Sequence, residues 1–328
     1  MTSARLPHPF KTGSIDRIES VPAIESSRID RQPLSQALFR SKLMTLSFTH
    51  RSEPLESHLE TYWCWYIEGK RMDEDEYYEN AIACYENALS LRPDDYWAWY
   101  QRGHALAELG EYGNAIDSFE CALTIRPHDY WANYSRGYLL SEECDRFEEA
   151  IVSFDRALAT RPQDYWAWFR RGDAFRYQQR YQEAISSYEN ALATRPQDYW
   201  AWFRRGDALY HIGRYAAAIS SYDNALDAEP DDFWAQYKRG DACRLCGRYD
   251  EAIASYDRVL ELEPDRCSAL YNRACCHALS GNIDLALESL QQAIDLDPQY
   301  WDLAERDPDF DATRIRDRFW KDSSRDFR

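Results

Sequence analysis

The chain has 328 residues, 45% of them hydrophobic and 29% charged, and carries a formal net charge of −18 at pH 7. So acidic a chain is not expected to hold nucleic acid, whose phosphates need clustered Lys and Arg, nor to lie directly on an anionic membrane, and no apolar run is long enough to span a bilayer. The amino terminus lacks the apolar run of a secretory signal peptide, and nine cysteines in no regular pairing pattern suit a reducing compartment, so the expected location is cytoplasmic.

Residues 1–61 read as an N-terminal extension, with eight Lys or Arg against seven acids and with Pro7, Pro9, Pro22, Pro33 and Pro54 as punctuation. Residues 1–32 are polar and nonperiodic, the composition of a disordered tail. Over 34–48 apolar residues recur at Leu34, Leu38, Phe39, Leu43 and Leu46. That pattern fits an amphipathic helix docked on the region from residue 62 onward, and equally a flexible tail with scattered apolar side chains.

From residue 62 the chain repeats itself. Ala157–Ala174, ALATRPQDYWAWFRRGDA, returns letter for letter at Ala191–Ala208, 34 residues later, and looser copies run both ways at the same spacing. A fixed period of this size marks a solenoid, whose units bury their apolar faces only against one another. Aligned on Pro93, Pro127, Pro162, Pro196, Pro230, Pro264 and Pro298, seven units occupy 62–95, 96–129, 130–164, 165–198, 199–232, 233–266 and 267–300. The third holds one extra residue between Glu143 and Phe147. Every unit shows two helical patterns; in the fifth they run from Trp200 to His211 and from Ala216 to Ala228, with Gly213 in the turn.

Within each unit a glycine sits in the first helix (Gly69, Gly103, Gly137, Gly172, Gly206, Gly240), at a cost of ~1 kcal/mol each relative to Ala. The expectation is that it faces the alanine row Ala81, Ala115, Ala150, Ala184, Ala218, Ala252 and Ala286, while Tyr85, Phe119, Phe154, Tyr188, Tyr222 and Tyr256 fill the space between units. Residues 301–328 are too broken by Pro308 for another unit and read as a C-terminal cap of two short helices, with Trp301, Leu303, Phe310, Ile315 and Phe319 covering the last apolar face.

Trp202, Gly206, Leu209, Ala218, Tyr222, Ala225 and Pro230 of the fifth unit, with their counterparts in the others, resemble the tetratricopeptide repeat. The resemblance implies an all-α, right-handed α-solenoid of seven helix-turn-helix repeats. One row departs from it: Arg102, Arg136, Arg171, Arg205, Arg239 and Arg273 stand where the family usually has Leu, a variant resembling repeats common in photosynthetic bacteria. These arginines are expected to pair with Asp129, Asp164, Asp198 and Asp232 between units. Trp65, Trp99, Trp168 and Trp202 match the family's packing position and are assigned to the core.

No phosphate loop, nucleophile elbow or HExxH motif is present, so the chain reads as non-catalytic and without a cofactor. Cys243 and Cys246 have the spacing of half a metal site but fall inside a helix, and read as small apolar side chains; no metal is expected.

In the resembling family the first helix of each unit lines a concave groove. Carried onto this chain, one groove row is Trp63, Trp97, Trp131, Trp166, Trp200 and Trp234, its exposure left open. A second holds Tyr100, Tyr134, Phe169, Phe203 and Tyr237, and a third includes Asp173, Asp207 and Asp241, with Arg176, Tyr210 and Arg244 near the helix ends. Across the third row and the helix ends stand seven acids (Asp73, Glu74, Glu108, Glu142, Asp173, Asp207, Asp241) and three bases (Lys70, Arg176, Arg244). The expected function is a non-catalytic protein–protein interaction scaffold that takes a basic, apolar partner segment, by cation–π contact and ion pairing, in an aromatic and acidic groove. Two alternatives stay open: a peripheral assembly factor for a membrane protein complex, and a regulatory subunit of an enzyme on another chain.

Overall fold

The computed structural model describes residues 54–310, so the expectations for 1–32 and 34–48, and for Ile315 and Phe319, lie outside the described residues. Fifteen helices follow one another among the described residues, with no strand. In chain order they are α1 (Pro54–Glu74), α2 (Tyr78–Leu91), α3 (Tyr96–Glu108), α4 (Tyr112–Ile125), α5 (Tyr130–Glu142), α6 (Phe147–Thr160), α7 (Tyr165–Tyr177) and α8 (Tyr181–Thr194). Then come α9 (Tyr199–His211), α10 (Tyr215–Ala228), α11 (Phe233–Leu245), α12 (Tyr249–Leu262), α13 (Cys267–Leu279), α14 (Ile283–Leu296) and α15 (Gln299–Arg306), closed by a 3-10 turn at Pro308–Phe310. From α2 onward each helix packs on the next, and α5, α7, α9, α11 and α13 also touch in succession. The stack therefore carries one face built of first helices only.

Every unit turns on a residue of positive φ. Glycine supplies it at Gly110, Gly213, Gly247 and Gly281, but Glu76, Asp145 and Gln179 do so at φ 62°, 54° and 60°. A side chain there costs about 1–2 kcal/mol, partly offset because glycine loses more chain entropy on folding. Gln179→Gly is therefore expected to stabilise the fold by about 0.5–1 kcal/mol, seen as a higher urea midpoint at unchanged slope. A lowered midpoint would show that Gln179 holds something the turn geometry does not reveal.

The aspartates after the prolines have a local task. Asp95, Asp129, Asp164, Asp198 and Asp232 are N-caps, each accepting the N–H of the residue three ahead, from Ala98 to Ala235, at 2.7–3.0 Å. With those oxygens engaged by the helix start, the arginine row finds other partners, and the expected Arg–Asp pairing is corrected. Arg102 donates to Glu86 of α2 at 2.8 Å and to Ser118 of α4 at 2.6 Å. The same pattern returns as Arg136 with Glu120 and Ser153, Arg171 with Asp155 and Ser187, and Arg205 with Glu189 and Ser221. Arg239 with Asp223 and Ser255, and Arg273 with Asp257 and Ser289, complete it. Each guanidinium thus ties three helices: the second helix of the preceding unit, its own, and its own unit's second helix. The acids are half exposed and contribute little alone; the serines are buried, and Ser118, Ser153, Ser187 and Ser221 bind two ways, Ser118 Oγ also donating to the Asn114 carbonyl at 2.8 Å.

The glycines face rings, not the alanine row. A Cβ on Gly172 would stand 2.6 Å from Tyr188 Cε1, and one on Gly206 2.7 Å from Tyr222 Cε1. Each ring fills the gap between the two helices of its own unit, as where Tyr188 meets Phe169 at 5.8 Å, rather than the gap between units. At the end of the stack Ala274 and Leu290 take these places, and Tyr300, Trp301, Ala304 and Phe310 cluster with them. Leu303, expected in that cover, points away and is 47% exposed.

Candidate functional site

The first-helix face begins with tryptophans. Trp97, Trp131, Trp166, Trp200 and Trp234 are half-buried, and Trp63 is 40% exposed. Each of those five stands edge-on against the aromatic before it, at 4.9–5.1 Å. Four are also covered by an arginine from the loop that leads to the next unit: Arg126 over Trp97, Arg161 over Trp131, Arg195 over Trp166 and Arg266 over Trp234, at 4.9–5.6 Å. The fifth unit has Glu229 before its proline, and the cation nearest the Trp200 ring is Arg204 at 6.0 Å. The cation–π contact expected from a partner is thus made internally at four of the five half-buried rings, and at a longer distance at Trp200.

The second aromatic row is mostly interior. Tyr100, Tyr134 and Phe169 are buried, so they line no open surface; Phe203 and Tyr237 are half-buried. Trp99, Trp168 and Trp202, assigned to the core, are half-buried against its edge and donate Nε1–H to the carbonyls of Pro93, Pro162 and Pro196 at 2.8 Å, pinning the loop between units. Trp65 is exposed.

The aspartate row is not a row of free carboxylates. Asp173 is buried; its Oδ1 accepts from the Tyr188 hydroxyl at 2.8 Å and lies 3.5 Å from Arg176 Nε and 3.7 Å from Arg204 Nε. Asp207 lies 3.4 Å from Lys238 Nζ and 3.8 Å from His211 Nε2. Asp241 accepts from the Tyr256 hydroxyl at 2.6 Å and from Asn272 Nδ2 at 3.0 Å; burial still raises its carboxyl above the ordinary value. Arg244 reaches Asp309 at 3.4 Å, and Tyr210 packs on Tyr215 with Lys238 Nζ 5.5 Å from its ring.

Arg170, Arg204 and Lys238 are the residues that sequence reasoning passed over. They stand four positions after Trp166, Trp200 and Trp234, and four residues on a helix return to the same face. Each answers the preceding unit: Arg170 to Glu142 at 3.2 Å, Arg204 to Asp173, and Lys238 to Asp207. Their presence polarises the face. Units one to three present Asp73, Glu74, Glu108 and Glu142 with Lys70 and His104, while units four to six present Arg170, Arg176, Arg204, Lys238 and Arg244 against three aspartates. At the acidic end Asp73 Oδ1 is buried without a hydrogen-bond partner; burial raises its carboxyl, and Glu108 and Glu74 add to the rise against His104.

Cys243 is buried and Cys246 exposed beyond the end of α11, so the two do not converge; all nine cysteines are unpaired. The fold brings together Cys275, Asp307 and Asp309 instead, with donor atoms within 4.8 Å of one another. Asp307 there accepts from the Tyr271 hydroxyl at 2.6 Å, Arg244 faces Asp309, and burial drives the Cys275 thiol far up, so it stays protonated. That seam fastens the end of the stack. No helix among the described residues is long and apolar enough to cross a membrane.

Models of the tetratricopeptide repeat match residues 145–185, 169–233, 203–266 and 237–300, and again 96–129, and a TPR-repeat model matches 76–110. Among curated proteins none matches. Of solved structures, YrrB, described as a TPR protein with an unusual peptide-binding site, is 25% identical with a TM-score of 0.51, over 56% of this chain and 94% of that one. The C-terminal part of a TPR repeat-containing protein from Cytophaga hutchinsonii is 17% identical with a TM-score of 0.59, over 72% and 98%. A tetratricopeptide repeat protein from Parabacteroides merdae is 15% identical with a TM-score of 0.51, over 79% and 98%. With paired helices at a 34-residue spacing, buried alanines and glycines under aromatic rings in one stack, and family models matching most of it, the chain belongs to the tetratricopeptide-repeat family, whose solenoids serve as protein-interaction scaffolds.

Proposed function

We propose that the protein is a non-catalytic scaffold that binds a segment of a partner polypeptide along the first-helix face, with Trp200 as its anchor. The observation that carries this reading is the weaker arginine cover: Trp97, Trp131, Trp166 and Trp234 have a loop arginine within 4.9–5.6 Å of the ring, whereas the cation nearest Trp200 is Arg204, at 6.0 Å. A large, half-buried ring against half-buried Phe203, with its nearest cation at 6.0 Å, suits an apolar or cationic side chain. Basic residues of the same segment are drawn to the acidic end, at Asp73, Glu74 and Glu108. The peptide site described for YrrB, a relative over nearly its whole length, favours a peptide as ligand.

The test uses linear peptides selected from a random library on the full chain. Trp200→Ala is expected to raise their Kd about 30-fold, the effect of losing ~2 kcal/mol of anchor energy, whereas Trp97→Ala changes it little. Thermal melts establish that both variants fold. Unchanged affinity for a folded Trp200→Ala protein would refute the groove reading.

A further inference from the structure

The loops between units carry a row of arginines that the fold holds in place and leaves exposed. Arg126, Arg161 and Arg195 are the C-caps of α4, α6 and α8, each one residue before a proline. Each lays its guanidinium across two rings of its own unit. The Cζ stands 4.2–4.5 Å from Tyr96, Tyr130 or Tyr165 and 4.9–5.6 Å from the tryptophan that follows. A stacked guanidinium keeps its N–H edge for other partners, and all three residues are exposed. Elsewhere the loop arginines are paired, Arg92 with Asp95 and Arg266 with Glu263, both at 3.8 Å. Arg126, Arg161 and Arg195 make no ion pair among the described residues. The acids of their own loops, Asp129, Asp164 and Asp198, are drawn to the helix that follows, each Oδ1 accepting its N-cap bond at 2.8–3.0 Å. The surrounding charge changes along the stack. No acid lies in 121–126, 156–161 or 190–195, the stretches that end in these arginines, and Arg156 adds a cation there. The equivalent stretches 224–229, 258–263 and 292–297 hold two acids each. A cavity of about 440 Å³ is lined by residues 161–164, and another of the same volume by residues 195–198.

We infer that the loop edge of units two to four binds an acidic segment of a partner polypeptide, with Arg126, Arg161 and Arg195 each taking one Asp or Glu side chain. A planar guanidinium already fixed by stacking suits bidentate capture of a carboxylate. One cation per unit matches one carboxylate per step. A nucleic-acid backbone, with its denser charge, needs clustered Lys and Arg and would also meet Asp129, Asp164 and Asp198. The site does not use Trp200, so it stands or falls separately from the groove reading. The row also dictates a spacing. First helices α5, α7 and α9 touch in succession, which sets them ~8–10 Å apart, and an extended chain advances ~3.3 Å per residue. The acids of the segment therefore recur at about every third residue. Beyond the fourth unit the paired acids of the second-helix ends repel such a segment, which limits it to three units.

Fluorescence anisotropy on the full chain tests this with a short labelled peptide that carries Glu at every third position. The peptide is expected to bind, and its counterpart with Gln for Glu is not. A peptide with the same number of Glu in one block should bind more weakly. Arg161→Gln should raise the Kd about threefold, the effect of one exposed ion pair. Arg126→Gln, Arg161→Gln and Arg195→Gln together should raise it about thirtyfold, because the three sites lie in separate units and act independently. Arg161→Lys, which keeps the charge but not the planar fork, should lose only part of what Arg161→Gln loses. Trp200→Ala should leave the Kd unchanged, and thermal melts establish that every variant folds. Native affinity in the folded triple variant would overturn the inference, as would equal binding of the Gln or the block peptide, or no binding of the spaced peptide. Loss of binding in folded Trp200→Ala would place the peptide in the groove and overturn it too. Tighter binding of single-stranded DNA of the same charge would overturn the assignment to carboxylates.

Discussion

Tyr188→Ala is expected to lower the unfolding free energy by about 3–5 kcal/mol, the range for emptying a buried aromatic site. Tyr188 is fully buried, rests on Phe169 at 5.8 Å, and lies under Gly172, where a glycine-sized gap leaves nothing able to collapse into the void. Its hydroxyl also anchors Asp173, which holds Arg176 and Arg204 in turn. Solenoid units are stabilised chiefly by their neighbours, so a failure in the fourth unit should divide the cooperative transition into two. Tyr188→Phe keeps the ring and should cost only about 1 kcal/mol, the net worth of one hydrogen bond. Chemical denaturation of both variants checks the pair; an alanine variant with the parent's midpoint would mean that the ring is not a packing element.

Gly172→Ala should destabilise, although alanine is the better helix former. The substitution gains about 1 kcal/mol in helix propensity, but the new Cβ would sit 2.6 Å from the Tyr188 ring, which is itself held on all sides. Overpacking of that kind costs about 1–3 kcal/mol, so the net effect is a loss. Gly113 is the matched control: it lies in α4 with nothing within 4 Å of an added Cβ. Gly113→Ala is expected to stabilise by up to about 1 kcal/mol. Opposite signs in urea melts of the two variants would isolate steric contact from propensity; equal signs would contradict the close approach.

Periodicity made the helices and their pairing readable, because a 34-residue copy carries its apolar spacing with it. Partner choice was less readable. The arginine row has aspartates in the loop ahead and carboxylates on the second helix behind; only geometry shows that helix capping claims the first set. The glycine row fails similarly: spacing reveals that something large lies close to Gly172, but whether it is the alanine or the ring depends on how the two helices roll against each other. On the candidate site, Asp173, Asp207 and Asp241 were visible as a row. Their partners Arg204, Lys238 and Asn272 come from the next unit, across a boundary that one helical wheel does not cover. The i+4 relation of Arg170 to Trp166 was available in the sequence and is enough to place that cation on the face.

The arginine clasp makes whole units interchangeable. Residues 157–164 and 191–198 are identical, so excising 165–198 would rejoin the chain with no altered loop. Arg205 would then meet Asp155 where it now meets Glu189, a carboxylate for a carboxylate, and Ser221 would stay where it is. Duplicating the same stretch would lengthen the stack just as smoothly. The two near-identical copies make the length of the first-helix face a quantity that changes in whole steps, with each step adding or removing one complete set of contacts rather than retuning an existing one.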